Sequence, residues 1–266
     1  MAKNEAPMLP SVDFCGLKVT RLILGANPFG GFSHQNAQRD DEMRTYYTVE
    51  RIKETWARAE AAGINAMVTN NETSHVIQAV REYLNDGGKL QWITQLAERK
   101  NPMLKSIDEA IKIGCKALFF HGAHIDDIYR RKDDKTLRTW CEHARSRGIP
   151  VGVAGHTPEA HLWVDSLNIV DFHVVCCFDC GSVHEGKGEK FNLNNIGPAF
   201  ECVRRIKKPC IAYKIMGAGR IDPRMAFEYA FEQIKTTDAV LVGMYRGDKD
   251  GIIEENVALT REILGS

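Results

Sequence analysis

Two apolar segments of this chain each end in a histidine, a side chain that exchanges protons near neutral pH and also binds divalent metals. His121 follows the segment Ala117–Phe120, and His156 follows a segment that begins at Val151. Short apolar runs are typical of buried parallel strands, whose carboxyl ends meet on one face of a barrel. We therefore expect the two imidazoles to lie close together and to act as catalytic residues or as metal ligands.

A divalent metal held by two histidines needs at least one further ligand, and two carboxylates follow the predicted strands on either side of the two histidine strands. Glu98 follows the third strand and Asp179 follows the sixth. Imidazole nitrogen and carboxylate oxygen both suit a divalent transition metal. The third ligand could be Asp179, Glu98 or a cysteine, and of these we take Asp179 for the predicted metal site with His121 and His156. With or without a metal, Glu98 or Asp179 is the predicted catalytic base.

Basic and glycine-rich residues follow the last two predicted strands. Lys214 is placed at the end of the seventh strand, where its ammonium group could bind an anion, donate a proton or form a Schiff base. The alternative is a lysine that extends from the rim into solvent. Glycine-rich backbone next to arginine favours a phosphate or cofactor site in these loops. Its candidate residues are Gly217, Gly219, Arg220 and Arg246.

A group of cysteines after the sixth strand has part of the pattern of a zinc site, with Cys176, Cys177, Cys180 and His184 as the candidate ligands. Adjacent residues of a strand point to opposite faces, so Cys176 and Cys177 cannot easily bind one ion. Structural zinc sites also need four ligands. We therefore interpret these cysteines as packed side chains, which is the usual role of a buried thiol.

Strand-like and helix-like segments alternate over residues 1–266, and their connections are short. Eight such units in about 250 residues, each with a right-handed crossover, are typical of a closed barrel. The pattern predicts an α/β protein with a single (β/α)8 TIM-barrel domain, with a possible hairpin at 14–20 that closes its bottom, and a first long helix from Tyr47 to Ala62. The predicted strands are Val19–Leu24, Ile64–Thr69, Leu90–Leu96, Ala117–His121, Val151–Ala154, Phe172–Phe178, Cys210–Ile215 and Ala239–Met244.

Charge and composition exclude several classes of partner. The chain has 35 basic and 35 acidic residues, so its formal net charge is zero and no general attraction to nucleic acid or to an anionic membrane is expected. No apolar run reaches the roughly 18 residues of a membrane-spanning helix, and residues 1–10 lack the apolar core of a signal peptide. We expect a cytoplasmic protein that acts on a small molecule.

Several segments, taken in order, resemble consecutive strands of one enzyme superfamily: Val19–Gly25, Ala62–Asn65, Leu118–His121, Val151–Val153, and Val242–Met244 with Glu255 and Asn256. That superfamily is the aldo-keto reductases, whose catalytic histidine ends the fourth strand, at the position of His121. The resemblance implies an aldo-keto reductase-like barrel and an NADP or NAD cofactor. Arg246 and Asn256 would help to bind that cofactor.

The rest of the family's catalytic pattern is not found. The family uses Asp, Tyr, Lys and His together, whereas this chain has Thr69 at the position of Asp, Gln95 at that of Lys, and no tyrosine in the loop 70–75. The Ser-Asn pair that holds the nicotinamide is replaced by Ala154 and Gly155. Without an acid at this place to protonate a developing alkoxide, the usual hydride transfer is not favoured.

Three functions follow from these residues, and we rank them in this order. The first is a non-redox enzyme, that is, a lyase, an isomerase or a hydrolase, which acts on a small polar, sugar-like or keto substrate and uses a divalent metal or acid–base catalysis alone. The second is an NAD(P)-dependent oxidoreductase with a rearranged catalytic site. The third is a ligand-binding barrel without catalysis. The first is favoured because the polar residues at the mouth remain, whereas most of the family's catalytic residues do not.

Overall fold

The computed structural model describes residues 9–97, 101–180 and 191–265. In these ranges ten strands form a two-stranded hairpin and a closed barrel of eight parallel strands. Each barrel strand pairs with the next one along the chain, and the last pairs with the first. The predicted (β/α)8 fold is therefore confirmed. The hairpin strands are β1 (Ser11–Phe14) and β2 (Leu17–Thr20), and the barrel strands are β3 (Leu22–Gly25), β4 (Ala66–Asn70), β5 (Gln91–Leu96), β6 (Ala117–Phe120), β7 (Val151–Gly155), β8 (Phe172–Cys176), β9 (Cys210–Tyr213) and β10 (Ala239–Gly243).

Helices connect the barrel strands and cover them from outside, and their buried faces form a hydrophobic cluster with the outward-facing strand residues. No helix of the described ranges is both long enough and apolar enough to cross a membrane. The helices are α1 (Asn27–Gly30), α2 (Ala37–Tyr46), α3 (Val49–Ala62), α4 (Ser74–Asn85), α5 (Met103–Ile113), α6 (Gly122–Arg131), α7 (Asp134–Ser146), α8 (Pro158–Leu167), α9 (Ile196–Arg205), α10 (Pro223–Gln233) and α11 (Ile252–Leu264).

The helices α1, α2 and α6 lie where the sequence predicted loops. Only two residues of α2 are buried, so its sequence lacks the apolar periodicity by which a helix is usually found. The helix predicted from Tyr47 begins instead at Val49, because the Thr48 hydroxyl accepts a hydrogen bond from the Arg51 N–H, 3.3 Å away, and caps the helix there. Of the predicted long loop 179–190, residues 181–190 lie outside the described ranges.

The N-terminal hairpin is longer than the predicted segment 14–20. It begins at Ser11, and Cys15 and Gly16 turn the chain with positive φ values of 55° and 84°. The predicted first strand, Val19–Leu24, was wrong in extent, because its residues belong to two strands that separate at Arg21. The hairpin does close one end of the barrel, since its Phe14 packs among side chains of the barrel interior.

The interior of the barrel is packed at the hairpin end and open at the other. Ile93 of β5 is fully buried, whereas Gln95, which lies two residues further along the same face of the strand, is partly exposed. Tyr213 of β9 and Leu241 of β10 are also partly exposed, although strands surround them on all sides. Water can reach these side chains only from the end at which the strands terminate. We call this opening the mouth of the barrel.

Two buried histidines lie between α8 and the outer face of β8. Their Nδ1 atoms are 3.1 Å apart, and the Nε2 of His161 lies 3.4 Å from the carbonyl oxygen of Gly155. Burial lowers the pKa of both rings, to about 3 for His161, because an imidazolium would lose its hydration there. Both His161 and His173 are therefore neutral at neutral pH.

The neutral histidine pair should make the protein less stable in mild acid. Below pH 6.5, the ordinary pKa of histidine, these two side chains bind protons in the unfolded chain but stay neutral in the native protein. Stabilisation that is present above pH 6.5 is thus lost as the pH falls towards the folded pKa, by up to about 1.4 kcal/mol per pH unit for each histidine. Urea unfolding at pH 7, 6 and 5 measures this slope. His161→Gln should flatten the slope, whereas His143→Gln, on the partly exposed face of α7, should not, and a slope unchanged by His161→Gln would contradict the explanation.

Phe14 should be the most important residue of the hairpin for stability. Its side chain is fully buried, and its ring centroid lies 4.9 Å from that of Phe172 inside the barrel. Phe14→Ala should lower the free energy of unfolding by about 3–5 kcal/mol, through lost burial and a cavity. Lys18→Ala changes an exposed residue of the same hairpin and should stay within about 0.5 kcal/mol. Denaturant unfolding compares the two, and similar small losses would show that the hairpin does not support the barrel.

Candidate active site

His121 lies directly after β6 and caps the amino end of α6. Its Nδ1 accepts a hydrogen bond from the backbone N–H of Ala123 over 3.1 Å. A ring nitrogen that accepts a hydrogen bond carries no proton, so the neutral imidazole carries its proton on Nε2. The neutral side chain therefore has its hydrogen-bond donor at Nε2.

His156 lies after β7, and a carboxylate that the sequence analysis did not identify holds its ring. Asp126 of α6 places Oδ2 2.5 Å from the His156 Nδ1, and its Oδ1 accepts the backbone N–H of His156 at 3.3 Å. Burial alone would raise the pKa of Asp126, but the hydrogen bonds and charge of His156 outweigh it and lower the pKa. The ionised carboxylate keeps the imidazole proton on Nδ1 and leaves a lone pair on Nε2.

The structure brings His121 and His156 together, as the sequence predicts. Their ring centroids are 6.3 Å apart, and the ring planes are 70° from parallel. The neutral rings have opposite tautomers, because one Nδ1 accepts a backbone N–H and the other donates to a carboxylate. His121 thus offers a hydrogen-bond donor and His156 an acceptor, which is the combination that acid–base catalysis requires.

Gly122 makes room for the ring of His156. A Cβ atom built on Gly122 would lie 2.7 Å from Cε1 and 3.0 Å from Nδ1 of that imidazole. Both distances are shorter than ordinary van der Waals contact, so a larger residue would displace the ring from Asp126. Gly122 and Asp126 belong to α6, which was not predicted, and the strand–histidine pattern alone does not identify them. A histidine followed by one turn of helix and an aspartate is the signal that would have found Asp126.

Three further side chains border the mouth. Cys176 ends β8, Tyr213 ends β9, and Lys214 directly follows Tyr213. The Cys176 thiol donates to the carbonyl oxygen of Phe178 at 3.1 Å, and the Tyr213 hydroxyl lies in hydrogen-bonding reach of the same sulfur. Burial raises the pKa of both groups, to about 11 for Cys176, so both keep their protons at neutral pH. Lys214 follows, with Nζ 5.8 Å from the centre of the Tyr213 ring.

The strands place one position of the reductase pattern differently from the sequence analysis. Thr69, which we aligned with the catalytic Asp, faces outward and accepts a hydrogen bond from Trp92 Nε1 at 2.8 Å. Asn70 is the residue at the end of β4 on the interior side, where its Oδ1 accepts the N–H groups of Glu72 and Thr73. Gln95 does reach the mouth. The interior positions at the ends of β4 and β5 therefore also lack the Asp and Lys of the reductases.

The predicted ligands fit a divalent metal poorly. A metal at the His121 Nε2 needs a lone pair where the ring carries its proton, so binding would cost the hydrogen bond from Ala123. Asp179 is exposed, and in residues 9–97, 101–180 and 191–265 no three His, Cys, Asp or Glu side chains are grouped closely enough to hold an ion. The predicted set His121, His156 and Asp179 is thus not assembled as a metal site. Glu98 lies outside the described ranges.

The two adjacent cysteines at the end of β8 lie on opposite faces, as expected. Cys176 follows the interior-facing positions of β8, whereas Cys177 belongs to the outer hydrophobic cluster. Burial raises the pKa of both thiols, which opposes the thiolate form that zinc needs. His184 lies outside the described ranges.

Arg246, a predicted cofactor-binding residue, forms its hydrogen bonds with side chains of the protein itself. The side chain is 6% exposed, and its guanidinium bonds to Glu54 at 2.8 Å, to Asp250 at 2.7 Å and to the Thr55 hydroxyl at 3.2 Å. These contacts occupy all three guanidinium nitrogens and join the loop after β10 to α3. Asn256 is also buried, on the inner face of α11. Neither side chain is presented to the mouth.

The glycine-rich loop after β9 uses its hydrogen-bond donors internally. The N–H of Gly217 donates to the carbonyl oxygen of Lys214 at 2.9 Å, and the N–H of Gly219 donates to that of Met216 at 3.0 Å. Arg220 donates to the carbonyl oxygens of Gly217 at 2.9 Å and His34 at 3.1 Å. The loop therefore fits the predicted phosphate or cofactor role poorly, because the N–H groups of Gly217 and Gly219 are already bonded to its own carbonyl oxygens.

No family model and no curated protein sequence matches this chain. Among solved structures, one described provisionally as an aldo-keto reductase from Pseudomonas aeruginosa has 19% identity and a TM-score of 0.70, with 99% of this chain and 100% of that chain covered. A mutant mandelate oxidase with an FMN adduct has 14% identity and a TM-score of 0.60, with 100% and 81% covered. Truncated 3-deoxy-D-arabino-heptulosonate 7-phosphate synthase from Thermotoga maritima has 11% identity and a TM-score of 0.57, with 97% and 92% covered. At these identities the likeness concerns the barrel fold alone.

The opposite tautomers of the two histidines can be measured directly. Long-range ¹H–¹⁵N spectra at alkaline pH, where neutral imidazoles dominate, should show His121 with its proton on Nε2 and His156 with its proton on Nδ1. His121→Gln and His156→Gln assign the signals. Asp126→Asn should remove the preference of His156 for Nδ1 protonation but leave His121 unchanged. A His121 ring protonated on Nδ1 would contradict the described geometry. Its Nε2 would then have the lone pair that a metal ligand needs.

Proposed function

We propose that this protein is a non-redox enzyme that removes a proton from the carbon next to a carbonyl group of a small polar substrate, as isomerases and many lyases do. One observation carries the proposal: His156, oriented by Asp126, offers a lone pair close to the hydrogen-bond donor of His121. The site lies at the open end of a barrel, where enzymes of this fold carry out their chemistry.

In the proposed reaction, the Nε2 of His156 takes the proton from the substrate carbon, and the C–H electron pair moves into the developing enolate. His121 donates a hydrogen bond to the carbonyl oxygen as negative charge gathers on it. The Asp126 carboxylate stabilises the imidazolium that forms on His156. If the reacting carbon carries a hydroxyl group, transfer of the hydroxyl proton to the former carbonyl oxygen and return of the carbon-bound proton to the former carbonyl carbon give an isomer. If the carbon on the other side of the reacting carbon carries a leaving group, that group departs with its bonding electrons as the carbonyl re-forms, which is an elimination. Neither outcome requires an oxidant.

The two other functions have less support from the described residues. An NAD(P)-dependent oxidoreductase would need groups for the cofactor phosphates, whereas Arg246, Gly217 and Gly219 bond within the protein. A barrel that only binds a ligand would have no use for a carboxylate that fixes the tautomer of His156. A metal-assisted reaction is disfavoured by the proton on the His121 Nε2.

Proton exchange tests the proposal without knowledge of the full reaction. The protein is incubated in D₂O with small hydroxyketones, keto acids and ketose sugars, and NMR follows the loss of hydrogen next to the carbonyl. At least one compound should exchange faster with the protein than without it. His156→Ala should lower that rate by about 10²–10⁴-fold, and Asp126→Asn should lower it less, because the base remains.

A second histidine–aspartate pair provides the matched control. The His143 Nε2 of α7 lies 2.9 Å from the Asp108 Oδ1 of α5, and both helices lie outside the ring of strands. His143→Ala should leave exchange unchanged. If no compound exchanges, or if His156→Ala and His143→Ala behave alike, the proposal fails. Binding of NADPH, measured by its fluorescence, would then favour the oxidoreductase.

A further inference from the structure

We propose that Lys214 forms a carboxylate-binding site at the mouth, so that the enzyme acts on small carbonyl compounds that also carry a carboxylate. This inference rests on the proposed function for the reaction but not for the binding. It starts from the position of the ammonium group, which stands beside the interior-facing Tyr213 ring with Nζ 5.8 Å from its centre. The same ammonium acts electrostatically on the Cys176 thiol, the last residue of the neighbouring strand.

Lys214 has the charge that such a substrate needs, and none of the described residues forms an ion pair with it. In the described parts of the chain, no carboxylate lies within ion-pair distance of its Nζ, whereas the lysines Lys53 and Lys249 each pair with an acidic side chain. The Asp126 carboxylate, which also borders the mouth, is bound to His156. A partly exposed ammonium in a concave site strongly favours an anion.

The backbone holds Lys214 in this position. Its φ of 59° is in the left-handed region, which residues other than glycine seldom adopt. The carbonyl oxygen of Lys214 accepts the N–H of Gly217 at 2.9 Å, and this hydrogen bond closes the turn. A strained conformation that surrounding contacts maintain is a common feature of ligand-binding positions.

A carboxylate fits the described donors better than a phosphate does. A phosphate group is usually bound by several donors, often backbone N–H groups of a loop. In the neighbouring loop the N–H groups of Gly217 and Gly219 bond to carbonyl oxygens of the same loop. A single ammonium group suffices for a carboxylate.

The spacing of the strands sets the size of the substrate. Lys214 follows β9 and His156 follows β7, and β8 lies between them. Neighbouring strands are about 4.8 Å apart, so the two strand ends are separated by about 10 Å. Two side chains that extend inward from these ends leave room for a molecule of a few carbon atoms. The carboxylate would lie at Lys214 and the reacting carbon at His156.

Binding is tested with acetate and inorganic phosphate, with chloride as a control for ionic strength. Imidazole ¹⁵N signals of His121 and His156 report occupancy of the mouth. Acetate should shift them in the wild-type protein, with affinity lowered about tenfold or more in Lys214→Met and largely kept in Lys214→Arg. Lys249→Met, which removes an exposed and already paired lysine, should bind acetate as the wild type does. If phosphate binds more tightly than acetate, or if Lys214→Met binds acetate normally, the proposal is overturned.

Selectivity is tested with compounds that differ only in charge. Pyruvate and pyruvamide are compared in the D₂O exchange experiment, as are 2-oxobutanoate and its amide. The acids should exchange about tenfold faster or more, and Lys214→Met should remove the difference while Lys214→Arg retains part of it. Equal rates for acid and amide would overturn the carboxylate site and leave the proposed reaction standing. Acetate binding that depends on Lys214, without exchange of any compound, would support the site and reject the reaction.

Discussion

The hydrogen bonds between Asp126 and His156 are the contact on which the candidate site depends. They join the first turns of α6 to the end of β7, and they use both carboxylate oxygens, one for the ring and one for the backbone N–H. The position of α6 is in turn defined by His121, which caps it. One short helix therefore orients both imidazoles. Its first residue is a glycine because the His156 ring occupies the space of a side chain there.

Sequence reasoning succeeded where strands are apolar and buried on both sides. Eight such segments were enough to predict the barrel, and the rule that strand ends converge on one face predicted that His121 and His156 would meet. It failed where a helix is mostly polar, as in α2, or where it directly follows a strand in a stretch that was assigned to the connection before the next helix, as in α6. Asp126 was missed for the second reason. Tyr213 was missed because the predicted strand continued to Ile215, which hid the residue at its true end.

The charge and type of a residue did not reveal which partners it has in the folded protein. Arg246 has the chemistry of a phosphate ligand, but its partners Glu54 and Asp250 lie on a helix distant in sequence and on its own loop. Lys214 has less distinctive surroundings in the sequence, yet within the described residues no carboxylate lies within ion-pair distance of its ammonium group, which stands beside the Tyr213 ring. The difference between the two is set by which carboxylates the fold brings near, and no local pattern contains that information.

The hairpin at the base of the barrel determines how a small molecule can enter and leave the mouth. Because Phe14 fills the far end of the barrel, whatever enters the mouth must leave by the same opening. Substrate and product then compete for one passage, and departure of the product becomes a condition for the next turnover. An enzyme built on this barrel would slow as its own product accumulates.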